Sequence, residues 1–418
     1  MSETAVLNPP AEQPAHVPDA LVFDFDYHHD AGLNADPHKR LLELNEQAPP
    51  IFWTPRQGGA WVLRSHEAVY KASRDVEMIS SEFVPQEKIK AMMAAMPPGS
   101  PHIPQPLPIN IDPPLHGIYR APLQKVFSPK AVLALKDSIR ALSAQLIDEV
   151  RDKGGCEFMA AIAEPLPVQI FLKMLGLPLE RLPLYRAVVT EHLAQTENEP
   201  AKVMQRLMKI TAMMRDIVLD RKENPQDDIL SMLWQVEIEG KPTTLEDIEN
   251  YAVLLFIAGL DTVVNGMGHG IRHLAGDIEL QRKLRAEPRL IPEAGEELLR
   301  RYTFTVPVRI VGKDGEFEGV TMRKGEKALV MLPAADLDAA EFPNPEVYDL
   351  NRENNVHIAF GVGPHRCLGS HLARVELQVL YEEMLARLPE FRLDPANPPT
   401  FHGGNVIGVD RLNLLWNS

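Results

Sequence analysis

Cysteine is nearly absent from this chain: Cys156 and Cys367 are the only two in 418 residues. Two cysteines do not build a disulfide framework, and a reducing compartment fits such usage. A basic surplus is lacking as well. The 43 Lys and Arg residues face 58 Asp and Glu, a formal charge of −15. That balance excludes an extended nucleic-acid-binding face and broad adhesion to acidic membranes, while leaving room for one local basic patch. Long apolar runs are also missing. The longest, Tyr251 to Val264, is interrupted by Asp261, and it falls short of the ~20 residues that a membrane helix needs. The start, MSETAVLNPPAEQPAHVP, has neither the basic beginning nor the apolar centre of a signal peptide. The expectation is a soluble, cytoplasmic monomer with no nucleic-acid or membrane partner. Residues 1–18 are expected to form a loose arm, and residues 19–418 a single domain.

What is present is mainly helical. Ile51 to Arg64 reads as short strands around a Gly58-Gly59 turn, and Ser65 as the N-cap of a helix reaching Arg74. Gln86 to Met96 has helical character. The proline-dense stretch MPPGSPHIPQPLPINIDPP then prevents regular pairing. Ser128 to Met267 carries the periodic Leu, Ile and Val of packed helices. Strands return at Val306 to Val311 and Ala328 to Leu332. A late helix runs from Leu368 to Leu388, stopped by Pro389, and Asn405 to Trp416 reads as a hairpin. The fold class expected is mainly α with a small β part.

The strongest chemical signal is Phe360-Gly361-Val362-Gly363-Pro364-His365-Arg366-Cys367-Leu368-Gly369. A thiolate metal ligand needs a loop that approaches the metal closely, which glycine permits. Backbone N–H groups and the positive start of a following helix stabilise the sulfur's charge. A lone cysteine in a turn is more often a buried structural residue. The flanking glycines and the basic step before Cys367 favour the ligand. Cys156, after Gly154-Gly155, reads as a dispensable residue in a turn. Glu297 and Arg300 lie three apart on one helix face and can pair, as a bland surface pair also would. Asp261-Thr262 interrupts an apolar helix next to small Ala258 and Gly259. A buried acid there needs a partner or a water chain, and an ordinary polar contact between helices would serve equally.

Together these motifs resemble the cytochrome P450 monooxygenases, over roughly residues 20 to 416. The loop fits the family pattern Phe-x-x-Gly-x-x-x-Cys-x-Gly. Glu297-Leu298-Leu299-Arg300 fits its Glu-x-x-Arg helix, Pro345 to Asp349 with Arg352 the segment before the loop, Ala258 to Thr262 the oxygen-binding segment, and His116-x-x-x-Arg120 a propionate-contacting helix. Gly259 to Asn265 and Glu297 to Arg301 bring it nearest to bacterial camphor-type enzymes. The resemblance implies the single-domain P450 fold, with a helix-rich and a sheet-rich part. It implies haem b with Cys367 on the iron, and His116, Arg120, Arg309 and His365 as propionate donors, with Phe360 and Gly361 beside the ring. Arg352 joins Glu297 and Arg300 as a structural lock. Asp261 relays protons from solvent, Thr262 hydrogen-bonds the dioxygen or its water, and Arg186 is aligned as a partner of Asp261. The substrate is a small hydrophobic molecule taken with dioxygen. Electrons come from NAD(P)H through a reductase and a two-iron ferredoxin, since the chain carries no flavin domain or cysteine cluster. Arg120, Lys125 and Arg366 are expected on the docking side.

The segment 83–110 is expected to roof the pocket with Met92, Met93 and Met96, unless these merely fill a core. The tyrosine of camphor-oxidising relatives falls near Pro104, leaving His102 and Gln105 as polar groups to meet a carbonyl. Leu254, Ile257, Ala258, Thr305 and Val406 complete an apolar wall. This favours a monoterpenoid or norisoprenoid. Two rivals remain at this stage: a peroxide-driven peroxygenase, against which the acid–alcohol pair argues, and a haem sensor or carrier. Product formation that depends on an electron donor separates them.

Overall fold

A computed structural model describes residues 9–97, 102–194 and 200–417. Its main strands are β1 (Ile51–Thr54), β2 (Ala60–Leu63), β3 (Ile79–Ser80), β4 (Gly155–Glu157), β5 (Val308–Val311), β6 (Lys327–Val330), β7 (Phe391–Leu393) and β8 (Asn413–Trp416). Its main helices are α1 (His66–Ala72), α2 (Gln86–Ala94), α3 (Leu115–Val126), α4 (Lys136–Arg151), α5 (Pro165–Leu175), α6 (Pro200–Glu223), α7 (Leu245–Leu260), α8 (Thr262–Gly276), α9 (Ile291–Arg301) and α10 (Ser370–Arg387). The chain divides into two compact units. One holds residues 1–83, 296–366 and 400–410, the other 84–295, 367–399 and 411–418. These are the sheet-rich and helix-rich parts expected of the fold.

The first unit is built on a five-stranded sheet of order β1-β2-β6-β5-β3. β1 and β2 pair antiparallel around Gly58 and Gly59, whose φ of 81° and 85° suit glycine. β6 runs parallel to β2, with Ala328 opposite Trp61. Alternation along β2 sends Trp61 and Leu63 into one apolar cluster, and Ala60 and Val62 into another. Both faces are therefore covered. Ser65 caps α1, its Oγ accepting from Ala68 N at 3.3 Å. The loose arm expected over residues 1–18 is corrected only in its later part, residues 1–8 lying outside the described residues. From Ala11 onward it is tied down: Ala11 N donates to Pro55 O at 2.8 Å, His16 meets Glu326 at 2.9 Å, and Val17 is buried. Val17 and the His16 pairing anchor a stretch whose prolines bar helix and sheet but not docking.

The second unit packs long helices, with α4 along α10, around α7 and α8. A Thr244–Asp247 capping box starts α7. By length and composition Leu245–Gly276 would suffice to cross a membrane. However, 61% of its most apolar window is buried, as in a core helix. Its cause is the apolar surface all around it, which needs partners on every side. A small sheet of order β7-β8-β4 completes the unit. Two further corrections lie here. Cys156 sits in strand β4 opposite Leu414, not in a turn. The expected terminal hairpin is absent: Gly408–Arg411 pairs with Thr400–His402, while β8 pairs with β7 and β4. Leu412 between them is buried, its N–H donating to Glu157 Oε1 and its carbonyl accepting from Phe158 N, and this turns the chain into the other sheet.

Candidate active site

In the helical unit, the central helix is broken where chemistry was expected. α7 ends at Leu260, Asp261 departs to φ −119° and ψ −38°, and α8 begins at Thr262. Thr262 Oγ1 donates to Ala258 O at 3.1 Å, a bond to the preceding turn that bends helices. Asn265 Nδ2 donates to both the carbonyl and Oδ2 of Asp261, each at 3.1 Å. Sequence reasoning missed Asn265, although its place one turn after the acid was the signal. Gly259 has a packing reason. A Cβ there would lie 2.4 Å from the ring of Phe171 on α5. Arg186, aligned as the partner of Asp261, pairs with Glu164 at 2.7 Å.

Most of α7 is buried, but Leu254, Ile257, Ala258, Asp261 and Thr262 are accessible to differing degrees. Their spacing of three, one, three and one places them on a single face. An apolar face is thus left open along a core helix and ends in an acid and an alcohol. His116 is buried on α3, with half-buried Arg120 one turn on. Cys367 is exposed and three residues ahead of α10, so the helix's positive end follows the sulfur. Cys156 is the opposite: burial pushes its thiol up to about 12.

In the sheet-rich unit, the loop leading to that cysteine is shaped by glycine. Gly361 and Gly363 have φ of 67° and 74°. Gly361 N donates to Ile358 O at 2.7 Å, and a Cβ on Gly363 would come 2.2 Å from Ser73 O. Phe360 and His365 are half-buried on this loop, and Arg309 is half-buried on β5. An isolated bridge brings Thr305 and Val406 together. Met92 in the other unit is 44% exposed, so it does not fill a core; Met96 is half-buried. A surface cleft among Leu21, Pro50, Ser65, Glu67 and Val320 contains none of the expected site residues.

The Glu297–Arg300 pair is no surface pair. Both side chains are buried and meet through two bonds of 2.8 Å. Arg300 also donates to the carbonyls of Asp336, Pro345 and Val347, so all five of its N–H groups are used. Arg352 Nε reaches Glu297 Oε1 at 3.1 Å and grips Pro343, Asn344 and Val347 through their carbonyls. Asp336, missed in the sequence, ties this lock to the loop: its Oδ1 accepts from Ile358 N at 2.8 Å, and Oδ2 meets Thr303 Oγ1 at 2.6 Å. Burial holds its carboxyl above the usual range.

The residues present fit a haem: an exposed thiol on a glycine-shaped loop, a helix start beside it, and an open apolar wall with an acid–alcohol end. Comparisons agree. The family model described as cytochrome P450 matches residues 148–409. Cytochrome P450 127A1 of Sinorhizobium fredii is 35% identical over 96% of each chain. A steroid C26-monooxygenase of Mycolicibacterium smegmatis is 32% identical, covering 90% of this chain and 91% of its own. The crystal structure of CYP101J2 is similar, with a TM-score of 0.85 and 33% identity, covering 98% of this chain and 100% of that one. Matched by the family model over more than half of its length and by these proteins over nearly all of it, the chain belongs to the cytochrome P450 family and is a bacterial-type monooxygenase.

Proposed function

We propose that this chain hydroxylates a monoterpenoid or norisoprenoid with dioxygen. Electrons come from NAD(P)H through a reductase and a two-iron ferredoxin, and the enzyme works as a soluble cytoplasmic monomer. The observation that carries the reading is the accessible face of α7, apolar at Leu254, Ile257 and Ala258 and polar at Asp261 and Thr262. Cys367 would hold haem b through its thiolate, and the haem would supply the oxygen activation. His116, Arg120, Arg309 and His365 are the residues assigned to its carboxylates, with Phe360 and Gly361 beside the ring. Thr262 Oγ1 holds a proton at the end of the apolar face. Asp261, half-buried and held by Asn265, exchanges that proton with solvent. Leu254, Ile257, Ala258, Thr305 and Val406 exclude water and orient the guest, while Met92 and Met96 adapt to its shape.

Cys367→His is expected to abolish the red-shifted Soret band of the reduced carbon monoxide complex; survival of the band refutes the ligand. Spin-state titration tests the substrate. Ionones and simple terpenes are expected to bind more tightly than camphor, and camphor winning refutes the argument from the absent tyrosine. A steroid, fatty acid or macrolide winning refutes the terpenoid class. An acidic ferredoxin is expected to meet Arg120, Lys125 and Arg366, so reduction slows at high ionic strength and in Arg120→Glu. A salt-independent rate tells against that docking.

A further inference from the structure

The proline-rich segment that follows α2 is fastened to α7 by polar contacts that no motif announced. His102 is 7% exposed, and its Nδ1 lies 3.2 Å from Glu249 Oε2. Glu249 is itself buried at 1% and is matched by Arg215 of α6, whose Nε reaches Oε1 at 2.7 Å and whose Nη2 reaches Oε2 at 3.3 Å. The next residue, Asn250, accepts at Oδ1 from Gln105 N at 2.8 Å. The Gln105 carboxamide oxygen already accepts from Gln86 Nε2 at 3.0 Å and Asn110 Nδ2 at 3.5 Å. His102 Nε2, by contrast, is buried and meets no donor or acceptor among the described residues.

Its position gives that atom a use. Asn250, Leu254, Ile257, Ala258 and Asp261 follow one another at helical spacing along one face of α7. Asn250 lies buried where the loop is fastened, and the accessible residues begin one turn later. The clasp therefore stands at the head of the open apolar wall. A buried nitrogen left without a partner is destabilising, and a guest's polar group removes that cost.

Which polar group follows from the clasp. A neutral imidazole carries hydrogen on one nitrogen only. A carboxylate facing Nδ1 puts the hydrogen there, and Nε2 is left as a lone pair. We propose that Arg215, Glu249 and His102 form a specificity device in which Arg215 holds the Glu249 carboxylate in place, Glu249 fixes the tautomer, and Nε2 accepts from a hydroxyl on the substrate. The preferred guest is then an alcohol, not the matching ketone. This replaces the expectation that His102 or Gln105 donates to a carbonyl. It rests on the terpenoid reading above.

The test is a spin-state titration of the haem-loaded enzyme. Matched pairs serve as probes: borneol with camphor, ionol with ionone, and the parent hydrocarbons. The alcohol is expected to bind about 3- to 10-fold more tightly than its ketone, the range of one net hydrogen bond. His102→Phe should bring each pair within about twofold. Glu249→Gln, of the same shape, should also shrink the preference by releasing the tautomer. A ketone that binds as tightly as its alcohol in the unaltered enzyme overturns the device, as does a preference that survives His102→Phe. If the hydrocarbons and both oxygenated forms all fail to bind, the terpenoid reading falls, and this inference with it.

Discussion

Glu297 in the sheet-rich unit and Glu249 in the helical unit each have a side chain 1% exposed and ion-paired to arginine. Their surroundings differ. Around Glu297 the polar groups are saturated: Arg300 spends five N–H groups, and Arg352 and Asp349 N add bonds to the same carboxylate. Around Glu249 the arginine is 43% exposed, and the other partner, His102, keeps one buried nitrogen unsatisfied. A closed network spends its bonds on holding backbone in place. An open one keeps an atom for something that arrives. Glu376, on α10, extends the series, because neither carboxyl oxygen meets a partner among the described residues.

The largest effect should come from opening the closed network. Arg300→Met leaves Glu297 buried with only Arg352 and a backbone amide, and frees the carbonyls of Asp336 and Pro345, while that of Val347 keeps Arg352 alone. Removing one member of a buried pair costs about 3–5 kcal/mol. Loss of folded, haem-loaded protein is expected, measured as haem content per chain. Normal loading and an unchanged unfolding temperature would erase the contrast with Glu249.

Glu376 sharpens the comparison from the other end. Burial pushes its carboxyl from 4.5 up to about 8. The folded chain thus keeps a proton that the unfolded chain releases as pH climbs from 4.5 towards about 8. Stability falls across that window, since the unfolded state binds fewer protons there. Glu376→Gln removes the cost. The variant is expected to gain about 3–5 kcal/mol at pH 8 and almost nothing near pH 5. Thermal unfolding at both values checks this; an equal effect at both would mean the carboxyl is not held neutral by burial.

What could be read from the sequence follows the same division. The lock was readable as Glu-x-x-Arg because its two charges lie on one helix turn, although burial alone separates it from a surface pair. The cysteine loop was readable because glycines at positive φ leave a mark in composition. The helix break was readable because Asp261 interrupts an apolar run. Contacts between distant segments were not. Glu249 and His102 are separated by 147 positions as numbered in the chain, and no periodicity links a loop histidine to a helix acid. The terminal strands failed for a related reason. Alternation identifies strands but not the sheet each one joins, and the buried Leu412 decides that through its bonds to Glu157 and Phe158.

Thr262 tests whether the open region is chemical or merely bent. Its hydroxyl satisfies Ala258 O, so a structural role alone would allow Thr262→Ala to bind substrate and stay coupled after a small shift of the helix. The proton-holding role gives a different outcome. NAD(P)H consumption continues, peroxide is released, and product per electron pair falls by about tenfold or more. Thr262→Ser, which restores the hydroxyl, should recover most of the coupling. Tight coupling in Thr262→Ala would assign the residue to helix geometry alone.

The smallest effect is expected at Cys156, and it completes the comparison at the level of single atoms. Both cysteines belong to the helical unit, yet their surroundings give them opposite chemistry. Cys367 is exposed at the mouth of a helix start, where a thiolate is stabilised. Cys156 lies in β4 opposite Leu414, and its thiol is held protonated because burial disfavours the charge and Glu157 adds to that. A protonated thiol in a strand acts as a small apolar group. Cys156→Ala therefore removes one sulfur from a three-stranded sheet whose backbone bonds remain. The change should be within about 1 kcal/mol, and the Soret band of the reduced carbon monoxide complex should be unaltered. If Cys156→Ala shifts that band while Cys367→His leaves it intact, the two sulfurs have exchanged roles, and the assignment of the axial ligand fails with them.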